Sequence, residues 1–234
     1  MTQPESTTIS LGPLDLAAML CSRVCHDVIS PVGAIVNGLE VLEDDSDPSM
    51  REVALELIKK SAGSASARLQ FCRLAFGAAG SAGASLDTGD AEAVARGLLE
   101  TEKTSIDWKA PRRLLSKNVV KLLLNLAQIA SATIPRGGVV EVQIEGEGAA
   151  AVLHVMSRGT TAKLQSGFAD FLKGQIGEVH VDAHNIQPYF AGLVARECGM
   201  AIDIEALEGG FRFIAKPSEP TSAAPAPESE TTSL

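Results

Sequence analysis

The chain has 234 residues, 45% hydrophobic and 21% charged, the makeup of a folded protein with ample material for a core. Its formal charge of −9 excludes a nucleic-acid surface, which rests on Lys and Arg neutralising phosphates, so no nucleic-acid partner is expected. No 18-residue apolar run exists, and "MTQPESTTIS" lacks the basic-then-apolar layout of a signal peptide, so no membrane partner is expected and the compartment is cytoplasmic.

In chain order, residues 1–13 are expected to form a flexible N-terminus and 14–80 a helical hairpin. The break at "EDDSDPSM" supplies Asp47 as an N-cap and Pro48 at the first helical position of the second helix. In the first helix Ala17, Cys21, Val24, Val28, Val32, Ile35, Leu39 and Leu42 fall within roughly 80° of one another, which predicts a buried stripe. In the second, Ile58, Ala62, Ala65, Leu69, Cys72 and Phe76 recur every three or four residues as a heptad-like seam. "FGAAGSAGAS", residues 76–85, reads as a linker.

Residues 86–217 mix helix and strand. A helix start capped at Asp90 is followed by the apolar helix "SKNVVKLLLNLAQIASATIP". A hairpin then comes in "VVEVQIEGEGAAAVLHVM", helices near "SGFADFLKG" and "NIQPYFAGLVARECG", and a closing hairpin in "AIDIEALEGGFRFIA". The fold class is therefore α+β, with helices on one face of a sheet. The tail, 218–234, has almost nothing to bury and is expected to be disordered. Four cysteines (Cys21, Cys25, Cys72 and Cys198) without CxxC spacing predict reduced, buried thiols.

"HDVISP" is the motif that asks for chemistry. On the helical wheel His26 lies about 160° from the centre of the apolar stripe. It shares a strip with Ser22, Ser30, Gly33, Asn37 and Glu40, which leaves a solvated surface histidine or an exposed nucleophile rather than a core residue. Cys21, Cys25 and His26 do not converge on one point as a tetrahedral metal site requires. His180 and His184 are four apart, but they read as loop histidines ahead of a helix. Pro31 removes a backbone donor to the Asp27 carbonyl and predicts a kink beside the His–Asp pair. Such loosening could bring the imidazole to an attacking geometry. The docking surface is expected along the histidine face and the start of the second helix, at Ser30, Pro31, Gly33, Asn37, Met50, Arg51 and Ala54.

"HDVISP" on the first helix of a hairpin, ahead of an α+β domain, resembles the H-box of histidine-kinase dimerisation domains. The resemblance implies a homodimer whose hairpins form a four-helix bundle, with His26 as phosphoacceptor. The second domain resembles the ATPase-like domain of those kinases in a degenerate form. In the N-box-like "LLLNLAQIASATIPRGG", Asn125 fills the first asparagine position and Ile129 stands where the family holds magnesium. In "LHVMSRGT", Ser157 replaces the adenine-recognising aspartate, and "VDAHNIQPYF" occupies the place of the Gly-rich lid. Isoleucine offers no oxygen to a hard cation. No cofactor or metal is therefore expected on this chain, Mg²⁺ being supplied by the partner.

Over residues 14–216 the chain resembles the dimeric histidine phosphotransferases of alphaproteobacterial cell-cycle phosphorelays. That implies transfer from the receiver of a hybrid histidine kinase (CckA-like) to His26, and on to CtrA-like and CpdR-like response regulators. It also implies Nε2 of His26 as nucleophile and Asp27 as the carboxylate that orients the ring and stabilises its charge. Two alternatives stand beside it: an ATP-dependent histidine kinase with an atypical nucleotide site, and a non-catalytic receiver-binding adaptor.

Overall fold

The computed structural model describes residues 11–44, 47–77, 85–176 and 180–218. Residues 1–10, most of the expected linker and the tail from 219 lie outside the described residues.

The hairpin pairs α1 (Pro13–Asp44) with α2 (Pro48–Ala75). Asp47 caps α2 as the sequence predicts, its carboxylate accepting the Ser49 N–H at 2.9 Å, with Pro48 in the first turn. Arg51 donates to the Leu42 carbonyl at 2.7 Å, which ties the start of α2 to the end of α1. The helices close on small residues at heptad spacing, Pro31 and Gly38 on α1 and Ala54 and Ser61 on α2, all buried. A Cβ on Gly38 would lie 2.7 Å from Ile58 Cγ1, so the close approach requires glycine there. α1 runs through Pro31 as one helix.

The predicted stripe therefore splits. Val24, Val28, Ile35 and Leu42 are half-buried, whereas Ala17, Cys21, Val32 and Leu39 are exposed, together with Ile29 and Val36. The apolar sector of α1 is wider than one partner helix can cover, which leaves a flank open. The predicted α2 seam is displaced likewise: Ala65 is buried, but Leu69 and Ala62 are exposed and Phe71 and Ala75 are buried instead. By length and composition alone the stretch Pro13–Glu43 could cross a bilayer. In the fold, one flank lies on α2 and its base on the second domain.

The second domain begins with β1 (Ser85–Asp87) and α3 (Thr88–Leu99). Asp87 caps α3 through the Gly89 N–H at 2.7 Å, and Asp90, the cap expected from sequence, lies in the first turn. β2 (Thr104–Trp108), β3 (Leu114–Ser116), α4 (Lys117–Ala132), β4 (Gly138–Glu145), β5 (Val152–Arg158), α5 (Phe168–Leu172), α6 (Ile186–Glu197), β6 (Met200–Leu207) and β7 (Gly210–Pro217) follow. The sheet order is β2-β4-β5-β7-β6, antiparallel except where β2 joins β4. Both predicted hairpins, β4–β5 and β6–β7, are present. The edge strand β2 and the small β1–β3 ribbon are too short to stand out as periodic runs. α3, α4 and α6 pack on the sheet, which gives the expected α+β, ATPase-like layering.

The two parts share one core. Phe71 and Ala75, both 0% exposed, join Ala91, Ala95, Leu122 and Tyr189 in a single apolar cluster. Leu16, Met19 and Leu20 of α1 pack against it. Leu11, expected within a flexible N-terminus, also packs there, and its N–H donates to Tyr189 Oη at 3.3 Å. The hairpin thus stands with its base in the sheet domain and its loop end projecting away.

Candidate functional site

His26 sits on α1 where the embedded base gives way to the projecting part. Its side chain is 59% exposed, as the helical wheel requires. Asp27, one step round the helix, is 13% exposed and so is no freely solvated helix charge. One carboxylate oxygen faces His26 Nδ1 at 3.3 Å, and the other accepts from Arg23 Nε at 2.9 Å, one helical turn earlier. The same guanidinium donates through Nη1 to the carbonyl of His184 at 3.0 Å. The His184 ring meets the His26 ring edge to face, centroids 4.9 Å apart at 82°. Arg23, Asp27, His26 and His184 are thus one connected group. Sequence reasoning put His184 in a loop, which is correct, but not beside His26. Arg23 carried a signal, the i, i+4 spacing to Asp27; His184 carried none, because only the tertiary fold brings it there.

The expected docking residues divide. Ser30 and Asn37 are exposed and Gly33 half-buried on the histidine strip, while Met50 is exposed at 42%. Pro31 and Ala54 are buried, Ala54 at 3%, because small residues here serve close helix approach and offer no surface to a partner. Arg51 is exposed but tied to the Leu42 carbonyl. That contact lies about 24 Å along α1 from His26, so Met50 and Arg51 are well removed from the histidine.

Beside the group lies a cleft of about 440 Å³ lined by Arg23, Arg68, Gln128, Phe168, His184 and Gln187. The polar positions that the kinase resemblance marks as nucleotide-binding are turned to other partners. Asn125, fully buried, donates through Nδ2 to the carbonyls of Ala75 (3.0 Å) and Lys121 (2.8 Å), and its Oδ1 accepts from Gln187 at 3.2 Å. Gln187 also donates to Gln128. Ile129 is 2% exposed, and the buried Ser157 hydroxyl bonds that of Thr133 at 2.6 Å.

The thiols correct one expectation, since Cys21 and Cys25 are exposed. Cys72 and Cys198 are half-buried, and each is pushed up to about 11, chiefly by burial, with the negative charges of Asp27 and Glu197 respectively adding to it. The thiolate is the reactive form. In a Cys21→Ser, Cys25→Ser variant, iodoacetamide should therefore react slowly at pH 8 and rapidly only as the pH approaches 11, a profile readable by intact mass.

Comparison with known proteins is consistent with this geometry. Residues 88–210 match the family model described as the histidine phosphotransferase C-terminal domain. Over 211 residues the chain is 47% identical to protein phosphotransferase ChpT of Brucella abortus (strain 2308), covering 90% of this chain and 100% of that protein. A solved structure of a bacterial phosphotransferase superposes with a TM-score of 0.80 at 45% identity, covering 90% of this chain and 100% of that one. A sheet domain of matching sequence and a near full-length likeness in sequence and fold lead to one conclusion: the chain belongs to the histidine phosphotransferase family.

Proposed function

We propose that His26 is the phosphoryl acceptor of a phosphorelay, taking the group from the receiver aspartate of a hybrid kinase and passing it to the receivers of response regulators. The observation that carries this reading is an imidazole held out from the hairpin, with its Nδ1 against a carboxylate that an arginine already pins. With the proton on Nδ1, the Nε2 lone pair attacks phosphorus. The bond from phosphorus to the aspartyl oxygen breaks, and the aspartate leaves as carboxylate. The ring becomes a phospho-imidazolium whose positive charge faces Asp27. The reverse step, with a receiver carboxylate attacking the same phosphorus, empties His26. Phosphoryl transfer of this kind depends on positioning and electrostatics, and the chain supplies both through Asp27 and Arg23.

Mg²⁺ belongs to the receiver in this reading. Asn125 has its donors and acceptor committed, Ile129 has no oxygen, and Ser157 is paired with Thr133, so the former nucleotide positions do not fit a magnesium–nucleotide complex. A second copy of the chain covers the open flank formed by Ile29, Val32, Val36 and Leu39, completing a four-helix bundle as a homodimer. The donor is CckA-like, the acceptors are CtrA-like and CpdR-like, the setting is cell-cycle control and the compartment is the cytoplasm.

The deciding experiment incubates the protein with radiolabelled ATP and Mg²⁺, with and without a hybrid-kinase receiver carrying labelled phosphoaspartate. Label that is acid-labile and base-stable should come from the receiver alone. Label from ATP without a receiver would make the protein a kinase; binding without label from either source would make it an adaptor.

A further inference from the structure

Ahead of α6, the segment His180–Asn185 is a tightly bonded loop. Asp182 Oδ1 accepts from the N–H groups of His184 (2.8 Å) and Asn185 (3.0 Å), and Asn185 Oδ1 accepts from the Asp182 N–H at 2.8 Å. Asn185 Nδ2 donates to the His180 carbonyl at 2.9 Å. On the far side Ile186 and Gln187 are buried in the domain core. The loop is therefore held at both ends, and it presents His184 outward from a fixed base. Two contacts reach the acceptor helix from it: the His184 carbonyl on Arg23, and the His184 ring against the ring of His26.

An imidazole on an exposed helix face otherwise turns among several rotamers. The carboxylate of Asp27 supplies one tether at Nδ1, but at 3.3 Å it is a loose one. We propose that His184 is a positioning residue for phosphoryl transfer, its ring setting the plane of the His26 imidazole so that the second domain completes the acceptor site in the same chain. Arg23 links the two tethers, since one guanidinium holds both the orienting carboxylate and the loop that carries His184. The contribution of His184 is an aromatic ring at a fixed place. This rests on His26 being the acceptor and explains what a sheet domain without nucleotide chemistry adds to the reaction.

Phosphorylated receiver is mixed with the full-length protein, and the single-turnover rate of labelling is followed against receiver concentration. His184→Ala should lower the rate at saturating receiver about tenfold while the half-saturating concentration moves less than about twofold. His184→Phe, which keeps a ring, should recover most of the rate. Nitrogen-15 NMR of the ring nitrogens should find His26 with its proton on Nδ1 in the wild type and His184→Phe, and a mixture of tautomers in His184→Ala. A saturating rate for His184→Ala equal to wild type, or a change confined to half-saturation, would overturn the proposal. So would failure of the phenylalanine variant to recover. His184 is exposed, and its contact with Arg23 is through the backbone, so both variants should fold. A wild-type protein that takes no label, or a His26→Gln variant that still does, would instead overturn the acceptor assignment.

Discussion

Replacing His26 with glutamine should abolish labelling from a phosphorylated receiver, by at least about 10³-fold, because the side-chain amide of glutamine has no nucleophilic nitrogen lone pair to offer phosphorus. Of the described residues around it, Asp27 is a carboxylate engaged with Arg23, the Cys72 thiol is held in its protonated form by burial, and the His184 ring stands on its own loop with its centroid 4.9 Å from that of His26. The folded state should not register the change. The His26 side chain is 59% exposed, and its contacts are the loose one to Asp27 and the edge-to-face one with His184, so the unfolding midpoint should move by less than about 0.5 kcal/mol equivalent. Receiver affinity, measured by calorimetry, should stay within a few-fold, since glutamine still offers a polar side chain of similar length. The combination of lost chemistry with intact folding and binding separates a reacting atom from a docking contact. Retained label in the glutamine variant, released by acid as from phosphohistidine, would move the acceptor elsewhere.

The second large effect is expected at Asn125. Its side chain caps the last turn of α2 by donating to the Ala75 carbonyl, one of the groups a helix end leaves without an internal partner. It also receives Gln187 from α6, so a single amide fastens the hairpin, α4 and α6 together. Asn125→Ala removes all of this at a site with no exposure and leaves the Ala75 carbonyl and a Gln187 donor short of partners. A buried unsatisfied polar group costs about 1–3 kcal/mol, so a loss of about 2–4 kcal/mol is expected in urea titration. Asn125→Asp should be worse at neutral pH, because a carboxylate would face two carbonyl oxygens where an amide had donated. Its pKa would be raised by that setting, so the deficit should shrink as the pH falls and the carboxyl takes up a proton. An alanine variant as stable as wild type would show that the amide is dispensable to the fold.

Much of this architecture could be read from the chain. Asp47–Pro48 marks the turn of the hairpin because capping and proline geometry act locally, and the outward placement of His26 follows from helix pitch alone. The strands of both predicted hairpins alternate strongly enough to declare themselves. Other features needed tertiary information. Hydrophobic periodicity says which side of α1 is apolar, but not whether Val32 and Leu39 lie on α2 or remain open, since both destinations demand the same residue types. Pro31 and Ala54 are expected on the docking surface from their places beside the histidine and at the start of the second helix, but small residues there serve close helix contact, as Gly38 against Ile58 also does. Asp87 and Asp90 were equally eligible as caps by residue type, and backbone conformation selected the first. Asn125 stood out in the sequence only through its place in the N-box-like stretch, because its partners, Ala75 and Gln187, are remote in sequence and joined only by the fold.

The shared core at the foot of the hairpin ties the helix that bears His26 to the sheet domain. Phe71 and Ala75 of α2 lie in one cluster with residues of α3, α4 and α6 and with the base of α1 packed against it, so a hairpin cut away from the sheet domain would stand on an uncovered greasy stump. In the floor of the sheet domain the buried Asn125 and Gln187 act as fasteners between the hairpin, α4 and α6.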